Sequence, residues 1–301
     1  HLDAKVTPHH EMYIAPRVKT LKPLEFKKVF AKDLYDSGPS EFYMLETGVF
    51  ADAFNTETEM TILANARKKG RAKDITCNIA DFALLLGYYI SEGCLDHCNA
   101  KQGRYRTIIS QNKGEVLDKI VSLVDRMGLS YSIIKRNNRA EESGVRIYGK
   151  ALYNFLKSNV PGIANTKSVP GCVWRWGYRD RLNLLKALIN GDGTIDKRQG
   201  RTSQTYYTTS SSLADNVQTL AMSVGYMAKV ILTDQDSNSY GKSPIYRVLI
   251  SGDGTTGRKW RLVNRGMISV GKYRGGVYCY NVPNHLLLTR RNGKTLISGN
   301  T

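Results

Sequence analysis

Residues 84–93 read LLLGYYISEG and residues 184–193 read LLKALINGDG. Each is an apolar run with small residues inside it, and each closes on an acid followed by glycine. The acids, Glu92 and Asp192, stand a hundred positions apart. Runs this long and this apolar predict buried helices, and a terminal glycine is an ordinary stop signal. A carboxylate in the last turn is not ordinary. It faces the partial negative charge of the helix end, at a cost of roughly 0.3–1 kcal/mol. A chain that does this twice places its acids for a purpose.

The residues after each run repeat as well. YRTIIS (105–110) predicts a strand, KGEVLDKIVSLVDRMG (113–128) a helix, and YSIIKR (131–136) and GVRIYG (144–149) two further strands. In the second copy TYYTTS (205–210) is followed by a helix over 212–225 and strands over 227–233 and 244–251. Gly128 and Gly225 mark equivalent helix ends. A duplicated α-β-β-α-β-β unit follows, with pseudo-twofold symmetry and the acidic helices meeting at the axis. Gly87 and Ser91 lie four apart, as do Ala187 and Gly191, so each pair shares a helix face where small side chains permit close approach. That packing would bring Glu92 and Asp192 together.

The formal net charge of +18, from 44 basic and 26 acidic residues, argues for a polyanionic partner, nucleic acid ahead of a membrane surface. No apolar run approaches the length of a membrane span. Five cysteines (Cys77, Cys94, Cys98, Cys172 and Cys279) form no regular framework and suit a reducing, intracellular (cytoplasmic) setting. Cys94, His97 and Cys98 offer three zinc-type ligands without an obvious fourth.

With the paired motifs in view, the chain resembles the LAGLIDADG (dodecapeptide) homing endonucleases over roughly 78–250. GYYISEG and ALINGDG are variants of that motif. The resemblance implies that Glu92 and Asp192 hold Mg²⁺ beside the two scissile phosphates of double-stranded DNA and give a double-strand cut. It assigns Lys167, with Pro170, to a K-x-x-P position near the active centre; Lys259 and Lys272 are both candidates for the second-half counterpart. DNA recognition would fall to the strands, on or beside which lie Arg104, Arg106, Lys135, Arg136, Arg198, Arg201 and Arg247. The chain is expected to act as a monomer.

The two ends resemble inteins, the protein-splicing elements that often carry such endonucleases. Thr7 and His10 match an internal T-x-x-H motif, VYCYNVPNHLLL (277–288) a late strand block, and the chain closes on Asn300 and Thr301. An asparagine can cyclise onto its own carbonyl and cut the following bond, and a threonine hydroxyl directly after that bond can serve as nucleophile for the step that joins the host (extein) flanks. His10 would act on the upstream scissile amide and His285 would assist Asn300. Gly299 stands where many inteins carry histidine. The sequence opens on His1, seven residues or fewer before T-x-x-H, so an N-terminal splicing block is expected to be missing, as in a fragment.

These expectations give an α+β chain: residues 1–48 and 266–301 as an incomplete all-β Hint splicing domain, 49–77 as a connector including the basic run 65–72, and 78–265 as the endonuclease. Two alternatives accompany the active enzyme. One is a DNA-binding module without chemistry; the other is a splicing fragment with a decayed endonuclease, acting in trans with its missing piece.

Overall fold

The computed structural model describes residues 2–18, 23–50, 55–64, 73–96, 104–112, 114–135, 142–160, 162–198, 201–233, 244–252 and 259–299. In chain order the strands are β1 (Glu11–Pro16), β2 (Lys27–Phe30), β3 (Glu41–Leu45), β4 (Glu59–Ile62), β5 (Ile75–Asn78), β6 (Gly93–Leu95), β7 (Arg106–Ser110), β8 (Tyr131–Lys135) and β9 (Glu142–Tyr148). They continue as β10 (Gly193–Arg198), β11 (Arg201–Thr208), β12 (Met227–Thr233), β13 (Ile245–Ser251), β14 (Trp260–Asn264), β15 (Leu286–Arg291) and β16 (Lys294–Gly299). The helices are α1 (Ala31–Ser37), α2 (Ile79–Glu92), α3 (Glu115–Arg126), α4 (Lys150–Asn159), α5 (Tyr178–Asp192) and α6 (Ser211–Ser223).

The duplication is present in the hydrogen-bond ladders. The first sheet runs β6-β7-β9-β8 and the second β10-β11-β13-β12, both antiparallel and in the same order relative to the chain. Helices α3 and α6 end alike. Gly128 and Gly225 take φ of +63° and +85°, the left-handed conformation in which a helix closes its last carbonyls. The amides of Leu129 and Tyr226 then reach back to the carbonyls of Val124 and Ala221, at 3.1 and 3.0 Å. Helix α2 starts on Asn78, whose side chain accepts from the Ala80 amide at 2.8 Å.

α2 and α5 pack against each other through the small residues of their motifs. A Cβ at Gly87 would lie 2.5 Å from the Cβ of Ala187 and 3.2 Å from the Leu188 backbone nitrogen, and a Cβ at Gly191 would collide with Ser91. The core that these helices centre is continuous through both halves, from Phe82 and Leu86 to Leu184, Leu188 and Val217. Gly87→Val is therefore expected to separate the helix pair and cost about 1–3 kcal/mol or more, because backbone cannot yield as a side chain can. A lowered denaturation midpoint checks it; an unchanged one would mean that the helices do not meet there.

The chain ends form a second, smaller unit. A sheet ordered β14-β3-β1-β2 covers Met12, Ile14, Leu34, Phe42 and Met44, and Leu296 of the β15-β16 hairpin completes the core. Three expectations need correction. The stretch to 265 does not all belong to the duplicated unit: β14 pairs with β3, Trp260 opposite Leu45 and Asn264 opposite Glu41. The terminal unit is not all strand, since α1 contributes the buried Leu34. The presumed strand block at 277–288 forms a strand only from Leu286; Val277, Tyr278 and Tyr280 stand exposed outside any ladder. Within the connector β4 and β5 pair and send Ile62 and Cys77 into the main core.

The two units are joined by buried polar contacts. Gln218, wholly buried on α6, donates to the carbonyls of Ala228 (2.9 Å) and Gly293 (2.8 Å), the latter in the β15-β16 turn. Gly293 also accepts from the Val230 amide of β12 at 3.2 Å. Among the described residues no helix is long and apolar enough to cross a membrane.

Candidate active site

Glu92 and Asp192 end α2 and α5, which the small-residue contact holds side by side. Both carboxyls are held above their ordinary titration range. For Glu92 burial is the main cause and the charge of Asp192 adds to it, while Lys167 opposes. For Asp192 burial again leads, opposed by a hydrogen bond with Ser91 and by the charge of Lys167. The two acids thus lie in one centre, where the charge of Asp192 acts on Glu92 and Lys167 acts on both.

Lys167 lies at this centre with only 7% of its surface exposed. Its ammonium donates to the carbonyls of Ile90 and Gly93 at 2.8 Å and of Tyr89 at 3.2 Å, closing the end of α2. A cation on those carbonyls offsets the charge disadvantage of ending the helix in an acid. Burial lowers its basicity; Asp192, Cys94 and Glu92, in that order, restore part of it. The second half positions the segment that carries it. Ser210 caps α6 by accepting from the Leu213 amide and donates to the Lys167 carbonyl at 2.8 Å, and the side chain of Asn216 accepts from the Val169 amide.

No second lysine repeats this arrangement among the described residues. Lys259 lies beside β14, its carbonyl accepting from the Glu46 amide, and Lys272 lies in the exposed stretch that precedes β15. Neither contact involves the end of α5, and the cation acting on Asp192 is Lys167 itself. The centre is asymmetric. Ser210, Asn216 and Tyr206 take part in it without having stood out in the sequence, and Ser91, marked there only for its small size in the motif, stands beside the acids.

The donors fit a hard divalent cation. Glu92 and Asp192 supply carboxylate oxygens, and Mg²⁺ characteristically takes one or two carboxylates and completes its shell with water and phosphate. Among the described residues no group of three or more His, Cys, Asp and Glu side chains forms a closed cage. Of the three zinc-type residues, Cys94 is exposed and unpaired with another cysteine, and His97 and Cys98 lie outside the described residues.

On the two sheets, alternate side chains turn away from the core. Thr107 and Ile109 are buried, so Arg106 faces outward, as do Arg146 and Tyr148 on the neighbouring strand. Arg106 pairs across the ladder with Tyr148, its guanidinium 6.0 Å from the ring, and makes an ion pair with Asp96 at 3.6 Å. Arg247 is paired likewise with Tyr207, at 5.9 Å. Lys135 and Arg104 are exposed; Arg198 and Arg201 are on β10 and β11, their side chains outside the described set, and Arg136 is outside it altogether. Arg146 was not anticipated, although the alternation in GVRIYG places it on the same face as Tyr148.

The family described as LAGLIDADG-like domain matches residues 80–158 and 180–256, together just over half of the chain. The chain belongs to that family. The two matched segments contain the two repeats, each opening on its acidic helix. Three curated relatives are a Thermococcus kodakarensis ATP-dependent DNA helicase Hel308 (30% identical over 56% of this chain), a Methanocaldococcus jannaschii DNA-directed RNA polymerase subunit Rpo1C (31% over 42%) and a Mycobacterium tuberculosis iron-sulfur cluster assembly SufBD family protein (27% over 50%). The matches span 15, 14 and 18% of those proteins' own lengths. Solved structures similar to the chain include variants of the homing endonuclease I-DmoI (20% identical, TM-score 0.40, covering 57% of this chain and 89% of that one). Full-length DUF199/WhiA is another (11%, TM-score 0.38, covering 64% and 55%).

The terminal unit of this LAGLIDADG-like chain gathers the other candidate residues. Thr7 and His10 close a tight turn, the His10 amide donating to the Thr7 carbonyl at 3.1 Å, with the Thr7 hydroxyl buried. The imidazole Nε2 of His10 lies 3.0 Å from the hydroxyl of Ser298, and burial lowers the basicity of the ring. A Cβ at Gly299 would stand 2.6 Å from the Cβ of Glu11 and 2.9 Å from its carbonyl oxygen, which explains the glycine at this position. His285 is exposed, directly before the Leu286–Gly299 pair of the hairpin. Asn300 and Thr301 lie outside the described residues.

Proposed function

We propose that this protein is a site-specific endonuclease that cuts both strands of duplex DNA with Mg²⁺ as cofactor. The observation that carries it is the meeting of Glu92 and Asp192 at the ends of two helices, with the buried Lys167 beside them. Two carboxyls forced together and away from their ordinary titration range make a poor structural device and a good cation site. Glu92 and Asp192 would hold the cation, which polarises a phosphate oxygen and water when bound. Lys167 orients the end of α2 and adds positive charge where the phosphate arrives. The outward arginines and tyrosines of the two sheets, with the net charge of +18, supply phosphate and base contacts. Incubating the protein with a randomised duplex library and Mg²⁺ tests this: discrete metal-dependent products are expected, and binding without any cleavage would favour a recognition module instead.

We further propose that the terminal unit is part of an intein-type splicing domain working in an intracellular setting. Two observations support it. The T-x-x-H turn meets the last residues of the chain through His10 and Ser298, across nearly the whole sequence. The matched relatives are a helicase, a polymerase subunit and a cluster-assembly protein, and a segment shared by such different proteins over a small part of each behaves as an insert. In this role Asn300 cyclises and cuts the bond to Thr301, and His285 assists. A chain extended beyond Thr301 should shed the extension, as read by mass, and Asn300→Ala should retain it. Continued shedding by the variant would refute the splicing assignment.

A further inference from the structure

The two repeats differ at one ladder position next to the acids. Gly93 pairs with Ile109 in the first sheet, and Gly193 pairs with Tyr206 in the second. Tyr206 therefore stands where the first repeat has an aliphatic side chain. It is fully buried, 0% exposed, and its hydroxyl meets no hydrogen-bond partner among the described residues. A phenylalanine there would avoid the desolvation cost of an unpaired hydroxyl, so the oxygen calls for another explanation.

Its surroundings give one. The charges that act on the Tyr206 hydroxyl are Asp192 first and then Glu92, and the Ser91 hydroxyl stands beside it outside bonding geometry. Ser91 also stands beside Asp192, favouring its ionised form, and reaches towards the Leu188 carbonyl at 3.4 Å. The phenol thus borders the acidic centre from the α5 side, whereas Lys167 occupies the carbonyls at the end of α2.

We propose that Tyr206 is a positioning residue of this centre, its hydroxyl donating to the Asp192 carboxylate and fixing that side chain when a divalent cation is held. Glu92 has no such donor at the equivalent position, where Ile109 stands, so the two strand-cutting halves are unequal by construction. A phenol ionises at about pH 10, so the hydroxyl is a donor throughout the neutral range. The role presupposes the endonuclease assignment, and the experiment separates the two.

Tyr206→Phe preserves the ring and removes only the oxygen. The probe is Mn²⁺, followed by loss of the free-ion EPR signal on titration, with Asp192→Asn alongside and each DNA strand end-labelled in a cleavage assay. A residue that orients a metal-holding carboxylate should cost about 10–100-fold in Mn²⁺ affinity when removed. The metal-free melting temperature should hold or rise, and one labelled strand should be cut more slowly than the other. If Asp192→Asn loses Mn²⁺ while Tyr206→Phe binds it as the wild type does, the endonuclease assignment stands and the role of Tyr206 is overturned. If the wild type binds no Mn²⁺, or Asp192→Asn binds it unchanged, the acidic centre is not a cation site and both fall.

Discussion

The Glu92→Gln/Asp192→Asn double variant is expected to lose double-strand cleavage, retain most of its DNA affinity, and melt higher than the wild type in the absence of metal. The first two effects follow from position: the acids end two helices at the centre, while the basic and aromatic side chains that face outward lie on the sheets. The third follows from electrostatics. Each carboxyl is held above its ordinary range by burial, and Glu92 also by its neighbour's charge, so both destabilise the folded chain when ionised. Solvent still reaches both groups, and the gain is discounted accordingly; a rise of about 2–4 °C, the equivalent of ~1 kcal/mol in a domain of this size, is the scale to look for.

The pH dependence has a definite sign. A carboxyl whose folded-state pKa is raised binds more protons folded than unfolded, between its unfolded and folded values. Stability therefore falls as pH rises through that window, just above the ordinary carboxylate range, and stays lower beyond it. The metal-free wild type should gain stability on mild acidification relative to the double variant, and Mg²⁺ should stabilise the wild type alone. Melting curves across pH, with chelator and with Mg²⁺, check both. Identical curves for the two proteins would mean that the two acids neither strain the folded chain nor hold the cation.

The second large effect is expected at Lys167. Lys167→Met keeps an unbranched side chain, one heavy atom shorter, but leaves the carbonyls of Tyr89, Ile90 and Gly93 without their common donor. Each buried carbonyl left unpaired costs about 1–3 kcal/mol, partly offset because a buried ammonium no longer has to be desolvated. A net loss of stability is expected. Cleavage should fall further than folding explains, by about 10²–10³, the scale for removing one preorganised charge from a site where negative charge develops. Strand-resolved rates at a temperature where the variant is fully folded make the separation. A loss that tracks stability alone would reduce Lys167 to a helix cap.

The duplicated unit was legible because its signals are local and repeated. An apolar run closing on acid and glycine needs no partner to be recognised, and the offsets of Gly87, Ser91, Ala187 and Gly191 foretold a contact that the structure forms. Gly128 and Gly225 were legible for the same reason, as helix ends need a particular backbone conformation. What escaped depends on distant residues. Lys167 as the cap of α2 is a contact across more than seventy positions, and Ser210 and Asn216 reach its segment from the second repeat. Tyr206 reads as one aromatic in an ordinary strand until its ladder partner is known. The strand-like composition of 277–283 misled, since a ladder needs a neighbour as well as β-forming residues. The return of β14 to the terminal sheet was invisible for the opposite reason: WRLVN has nothing in it that names β3 as its partner.

That return has a consequence for how such a chain tolerates what it carries. Leu45 and Trp260 are ladder partners, so everything between them leaves and re-enters the small sheet at neighbouring strands. For a flexible segment, joining the ends costs entropy that grows only with the logarithm of length, roughly 0.6 kcal/mol for each doubling. A segment that folds by itself with its ends close together costs less still, because the folded insert fixes the separation that the sheet requires. The terminal sheet experiences the two repeats as a short loop, whatever their mass. Either unit can then change its sequence, its partners or its activity, and the other is constrained where they touch, at Gln218 and Gly293, at Arg290 and Asp215, and at Thr47 and Met222 among the described residues.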